Sequence, residues 1–174
     1  MKLFWGIIIF LLGGCAIKAP EGITPVSGFD QERYLGMWYE IARLDHSFER
    51  GLSNVSATYT LRDDGGIRVI NKGFDTQKQA WRTAEGKAFF VKAKDVGFLK
   101  VSFFGPFYGA YVIFELDHAG YSYAFVAGDS RDYLWLLSRT PHVPEKLLTH
   151  FKETAKGLGF DTQKLIFTKQ QSKK

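Results

Sequence analysis

Two residues at opposite ends of a long run of strand-like sequence limit the folds open to this chain more than any others. Gly36-Met37-Trp38-Tyr39 stands where a polar leader gives way to alternation. Arg139, in Leu136-Leu137-Ser138-Arg139-Thr140-Pro141, ends the last strong strand before a helical stretch. Gly36 permits a sharp turn where a side chain would obstruct the backbone, and Trp38 sends a large ring to whichever face becomes the interior. A guanidinium lying across that indole would fasten first strand to last, at about 0.5 to 2 kcal/mol depending on desolvation. Such a fastening closes a sheet into a barrel.

Between these two residues the period is two. Strands are predicted over 38–44, 55–61, 67–73, 81–91, 99–104, 110–116, 121–127 and 133–138, eight in all. Asp63-Asp64-Gly65-Gly66 is a tight turn by composition, too short and wrongly spaced to be a calcium loop. After Pro141 the period lengthens: Leu147, Leu148, Phe151 and Ala155 form one helical stripe that begins at Pro144 and ends at Gly157. Leu165-Ile166-Phe167 is a short final strand, and the polar residues from Gln170 on read as a frayed tail. The fold class is therefore all-β, an eight-stranded antiparallel up-and-down barrel with a C-terminal helix packed outside.

The chain resembles the lipocalins, and most of all the bacterial outer-membrane lipoprotein lipocalins of Gram-negative envelopes. The resemblance is carried by Gly36-Met37-Trp38-Tyr39, by the Arg139 motif, by the leader Phe29-Asp30-Gln31-Glu32-Arg33-Tyr34-Leu35 and by the run from Lys100 to Gly109. Leu116-Asp117 and Tyr121 stand where the family carries a middle motif, usually Thr-Asp-Tyr. The resemblance implies a lipocalin domain over 29–170, with the leader plugging the closed end and the loop 45–53 serving as a lid at the open end. It also implies binding, storage or transport of lipophilic ligands, fatty acids or lysophospholipids, inside the barrel.

A chain of 174 residues suits one domain with one well-buried core. Its single cysteine, Cys15, takes its meaning from position. Met1-Lys2 supplies positive charge, residues 3–12 are a short apolar run and Gly13-Gly14 are small, the architecture of an export signal over 1–14. That run falls well short of the roughly 20 residues of a membrane-spanning helix. Leu12-Gly13-Gly14-Cys15 resembles the bacterial lipobox, in which the cysteine becomes an acylated first residue; the bland alternative is an ordinary signal with an incidental cysteine. Acyl chains, at about 0.8 kcal/mol per buried CH₂, would anchor the protein to a membrane. Ala16, in place of the Asp usual in inner-membrane retention, points to the outer membrane with the domain in the periplasm. Residues 15–28, with Pro20 and Pro25 and little periodicity, read as a lipidated tether, and 171–174 as a polar tail. With Cys15 acylated, no thiol remains for disulfides or redox chemistry.

Parity from an inward Arg139 places Leu137, Trp135 and Tyr133 on the luminal face. Trp135 and Tyr133 are the first candidate ligand contacts, joined by Ala57 and Tyr59, Val101 and Phe103, and Tyr111. Tyr108, at a hairpin end, could offer its hydroxyl to a headgroup. Each ring could equally be packing, because eight-stranded barrels lie at the boundary between filled and hollow. Glu40 shares the parity of Trp38; the expected place for such a carboxylate is the rim, in solvent, with Arg43 or a headgroup as partner if it turns inward.

Catalysis finds no support. His46, His118, His142 and His150 fall in predicted loops or on the outer helix without metal-ligand spacing, and Ser138 has no adjacent base. No cofactor or metal is expected. The formal charge of +5 is mild and spread along the chain, with no basic patch interleaved with aromatics, so nucleic acid is not a partner. The expected partners are a lipophilic small molecule and, through acylated Cys15, a membrane; a homodimer is compatible with the sequence. A lipid-modifying enzyme and a structural envelope lipoprotein with a filled barrel are the alternatives.

Overall fold

The computed structural model describes residues 17–171; Cys15 and the export signal expected over 1–14, like residues 172–174, lie outside the described residues. Strands β1 (Gly36–Arg43), β2 (Leu52–Leu61), β3 (Ile67–Asp75), β4 (Ala80–Phe90), β5 (Phe98–Phe104), β6 (Phe107–Leu116), β7 (Tyr123–Ala127) and β8 (Leu134–Ser138) pair with their sequence neighbours. All the pairings are antiparallel, and β1 pairs with both β2 and β8, which closes the barrel. A short ninth strand, β9 (Ile166–Phe167), adds to β1 at Ala42 and Arg43. Gly86 of β4 is where glycine is obligatory: a Cβ there would lie 2.7 Å from the Ser102 carbonyl oxygen and 2.8 Å from the Phe103 ring of β5. Strands β5 and β6 run on almost to the Gly105-Pro106 turn, so Phe107 and Tyr108 belong to a strand rather than to a loose hairpin end.

Two apolar cores lie on either side of the barrel wall. The inner one packs Phe29, Tyr34 and Trp38 against Val69, Leu99, Ile113 and Val126. The outer one lies under helix α2 (Glu145–Gly157), where Phe151 and Ala155 are fully buried against Phe125, Leu134 and Leu136. That is the stripe read from the sequence. Closed sheet and both cores lie within residues 17–171, and a domain with its own core folds as a unit.

The closed end is plugged by the one-turn helix α1 (Gln31–Tyr34), capped by Asp30, whose side chain accepts from the Glu32 and Arg33 amides. Arg33 lies over the Tyr121 ring at 4.2 Å and donates to the carbonyls of His118 and Ala119, while the Tyr121 hydroxyl accepts from the Asp30 amide. Asp117 holds the same turn by accepting from Gly120 and Ser122. The divergent middle motif therefore still secures the plug.

Arg139 completes the closure. Its guanidinium sits 3.9 Å from the centroid of Trp38, and its Nη1 and Nη2 donate to the carbonyls of Met37 and Arg33 at 2.9 and 2.7 Å. The Trp38 indole donates to the Tyr34 carbonyl at 2.8 Å. Gly36 has φ +93, and a Cβ there would meet Arg139 Nη1 at 3.4 Å, so it serves both the turn and the close approach.

Two segments differ from the sequence reading. Residues 17–28 are not a slack tether. Ile23 is buried in the outer core, the Val26 amide donates to the Ile113 carbonyl, and Ser27 bridges to Val96. The C-terminal residues are not frayed as far as they are described. Gln170 donates its amide to the carbonyls of both Glu40 and Val55 at 2.8 Å, and the Gln171 amide donates to Asn54 Oδ1. They fill the seam where β2 parts from β1 beyond Tyr39, satisfying backbone groups that would otherwise lack ladder partners.

Candidate functional site

Two neighbouring chambers, one in the lumen and one at its mouth, share part of their lining. The lower, of about 100 Å³, lies above the plug and is lined by Tyr34, Tyr59, Val69, Leu99, Tyr111 and Leu137 among others. The upper, of about 550 Å³, opens to the rim and is lined in part by His46, Phe48, Phe104, Phe107, Tyr108 and Tyr133. Glu49, Val55, Asn71, Val101, Phe103 and Trp135 border both, and so form a neck between them. The candidate ligand contacts converge here: Ala57, Tyr59 and Tyr111 in the lower chamber, Val101, Phe103 and Trp135 at the neck, Tyr108 and Tyr133 above. Ala57 and Tyr59 on β2 and Val101 and Phe103 on β5 follow from alternation, as does Trp135 on β8; Tyr108 and Tyr111 have opposite parity on β6, and Tyr133 stands just before β8.

At the floor, the hydroxyl of Tyr111 bonds those of Tyr34 and Tyr59 at 2.7 and 2.9 Å. Burial raises all three phenols above their ordinary value, so they stay neutral. Three O–H donors share two mutual bonds, which leaves one donor over for anything seated on the floor.

The neck holds a polar cluster that alternation did not foresee. Glu40 is not a rim carboxylate: it is 2% exposed, its Oε1 accepts from Arg43 Nη1 at 2.6 Å, and Thr168 donates to the same oxygen. A β-bulge in the β1–β8 pairing between Glu40 and Ala42 breaks the alternation, and three residues later Arg43 reaches back to Glu40. Arg43 Nη2 also donates to the Glu49 carbonyl at 2.8 Å.

Glu49 comes from the lid, the loop 44–51, rather than from the wall. Trp135 Nε1 donates to its Oε2 at 3.0 Å, and His46 Nε2 lies 2.9 Å from the same oxygen. His46, a predicted loop residue, is buried with its ring against Trp135 at 5.1 Å and Tyr133 at 5.8 Å. Burial, and next the neighbouring Glu49 charge, hold the Glu40 carboxyl well above the ordinary carboxylate range. For Glu49 burial works in the same direction, but the groups gathered on it, His46, Glu40 and Trp135, outweigh it and hold that carboxyl below its ordinary value. Of the two neighbouring carboxyls, Glu40 is thus held toward its protonated form and Glu49 toward its ionised one.

Sequence reasoning missed Tyr34, Asn71 and Glu49. Asn71 has the luminal parity of Ile67 and Val69, a signal that was available. Glu49 carried none, since nothing local in a loop marks a carboxylate for burial. At the rim, Phe104 and Phe107 are 72% and 77% exposed, an apolar border to the opening. Among the described residues no group of three or more His, Cys, Asp or Glu is placed to hold a metal ion.

Comparison with known proteins sets this architecture in context. The model of the Lipocalin-like domain family matches residues 29–170. The outer membrane lipoprotein Blc of Vibrio cholerae is 59% identical over 161 residues, 92% of this chain and 94% of that protein. Its counterpart from Escherichia coli K12 is 51% identical over 162 residues, 92% and 91% of the two chains. Among solved structures, insecticyanin from the tobacco hornworm Manduca sexta superposes with a TM-score of 0.70 at 19% identity, covering 90% of this chain and 88% of that one. At that identity the superposition speaks to the fold alone.

Proposed function

The chain belongs to the lipocalin-like family, a family that binds lipophilic molecules, and we propose that its ligand is a fatty acid or lysophospholipid held in the barrel. The observation that carries this reading is the upper chamber. About 550 Å³ falls within the roughly 300 to 1,000 Å³ of small-molecule sites, and it shares an aromatic neck with a second chamber. A filled barrel would leave no such space. Ala57, Tyr59, Val101, Phe103, Tyr108, Tyr111, Tyr133 and Trp135 are the proposed contacts, with the tail against the rings of Phe103, Tyr108 and Tyr133 in the upper chamber.

The chain is an outer-membrane lipoprotein of a Gram-negative bacterium, like its Vibrio and Escherichia relatives. We place the anchor at acylated Cys15 and the barrel in the periplasm. An apolar rim of Phe48, Phe104 and Phe107 suits a barrel that receives its ligand near a membrane surface. Native mass spectrometry of protein released gently from the envelope, followed by lipid extraction, tests the reading. One single-chain lipid per barrel is expected; a barrel that carries none, and takes none up from a panel of single-chain lipids, would overturn it.

A further inference from the structure

Glu49 is an unexpected occupant of the neck. It belongs to the lid, and a loop carboxylate ordinarily remains in water because burying a charge is costly without partners. Here the partners are provided by the wall and the lid's base. Trp135 Nε1 donates to Oε2 at 3.0 Å, His46 Nε2 lies 2.9 Å from that oxygen, and Arg43 holds the Glu49 carbonyl at 2.8 Å. The Trp135 N–H is aimed at a carboxylate at the junction of the chambers and the His46 ring lies beside it, while Arg43 holds the lid's main chain. Trp135 and His46 would read the same group on any molecule that brought it there.

We propose that the Glu49 side chain is a built-in surrogate for the ligand's head: it occupies the position for which the carboxylate of a fatty acid competes, and binding exchanges one carboxylate for the other as the lid residue swings outward. The inference deepens the function proposed above and rests on it, by choosing a free carboxylate as the head to be recognised. It also fixes the direction of the chain. A head at the neck sends its tail into the upper chamber of about 550 Å³, toward Phe104 and Phe107, because the lower one of about 100 Å³ is too small for it. Trp135, a contact by parity alone in the sequence, becomes a head-reading residue through its indole N–H.

A merely structural Glu49 that pins the lid predicts different behaviour, and titration calorimetry separates the two. The protein without its leader and Cys15 is titrated, below micellar concentrations, with laurate and separately with dodecanol. The pair shares a chain length and differs in the carboxylate. Glu49→Gln keeps the size of the side chain and discards the charge; Glu49→Ala removes the competitor altogether. Laurate is expected to bind about tenfold more tightly to Glu49→Ala, as when a closed state outweighing the open one about ten to one is removed. Laurate should also gain in Glu49→Gln while dodecanol stays within about twofold.

Laurate affinity that is unchanged or weakened in both variants would overturn the surrogate role. So would an equal gain for laurate and dodecanol in Glu49→Gln, which would make Glu49 a plug without chemical preference. If the unaltered protein binds neither ligand, nor any other single-chain lipid, the binding function itself falls, and the surrogate with it.

Discussion

Replacing Arg139 by methionine should unfasten the barrel while keeping most of the apolar stem over Trp38. The side chain makes two well-placed charged hydrogen bonds, to the carbonyls of Met37 at 2.9 Å and Arg33 at 2.7 Å, and a longer one to Tyr121 at 3.3 Å. At the lower end for charged donors, as suits a partly exposed group, the first two contribute about 1.5 kcal/mol each. The guanidinium 3.9 Å from the Trp38 ring adds about 1 kcal/mol. The loss in Arg139→Met is then about 4 kcal/mol, a large part of the roughly 5 to 15 kcal/mol that keeps a domain folded. With a urea slope of about 2 kcal/mol/M, the unfolding midpoint should fall by about 2 M. Arg139→Lys retains the charge but cannot reproduce the fork, and should lose about half as much. A double-mutant cycle with Trp38→Leu should return a coupling of about 1 kcal/mol. A cost for Arg139→Met under about 1 kcal/mol, or a coupling indistinguishable from zero, would refute the fastening argument.

Two further predictions concern the wall and the neck. Gly86→Ala places a Cβ against the Ser102 carbonyl and the Phe103 ring, so thermal unfolding should show a loss of about 1 to 3 kcal/mol, typical of overpacking. Glu40 has a folded pKa raised above its ordinary 4.5, so the native state holds its proton more tightly than the unfolded chain. Its contribution is complete below about 4.5 and is lost as pH rises through the raised value, at up to about 1.4 kcal/mol per pH unit. Glu40→Gln keeps the neutral shape. Its melting temperature should therefore gain on that of the unaltered protein as pH is taken from about 5 to 8, by about 2 to 4 °C per kcal/mol; parallel pH profiles would show that Glu40 is ionised in the fold.

What the sequence disclosed depended on whether a residue's fate was set locally. Trp38, Tyr59, Val101, Phe103 and Trp135 lie on regular strands, where alternation alone decides the face, and all border the lumen or its closed end. Arg139 could be paired with Trp38 because the two motifs stand at the ends of the strand series. Glu40 was placed at the rim because the cost of burying a carboxylate outweighed the parity that turned it inward; Arg43, named as its partner in that case, does pair with it, but Thr168 left no sign in the sequence. Arg43 reaches it past a bulge, and Thr168 comes from the far end of the chain. Gln170 and residues 17–28 followed the same rule, since polar, aperiodic segments read as loose while their anchoring carbonyls belong to distant strands. Glu49 is the extreme case. Its carboxylate is taken up by Trp135, 86 positions along the chain, and even His46, three residues before it in the same loop, forms no pattern that marks the pair for burial.

A ligand inside the barrel can be detected most directly through Trp135, which borders both chambers. Tryptophan emission is followed while the protein is titrated with a fatty acid brominated next to its carboxyl group, a contact quencher. Saturable quenching at one ligand per barrel is predicted, and it should largely vanish in Trp135→Phe although Trp38 and Trp81 remain. Emission that is unaffected, or quenched to the same extent in Trp135→Phe, would contradict a chain seated in the lumen.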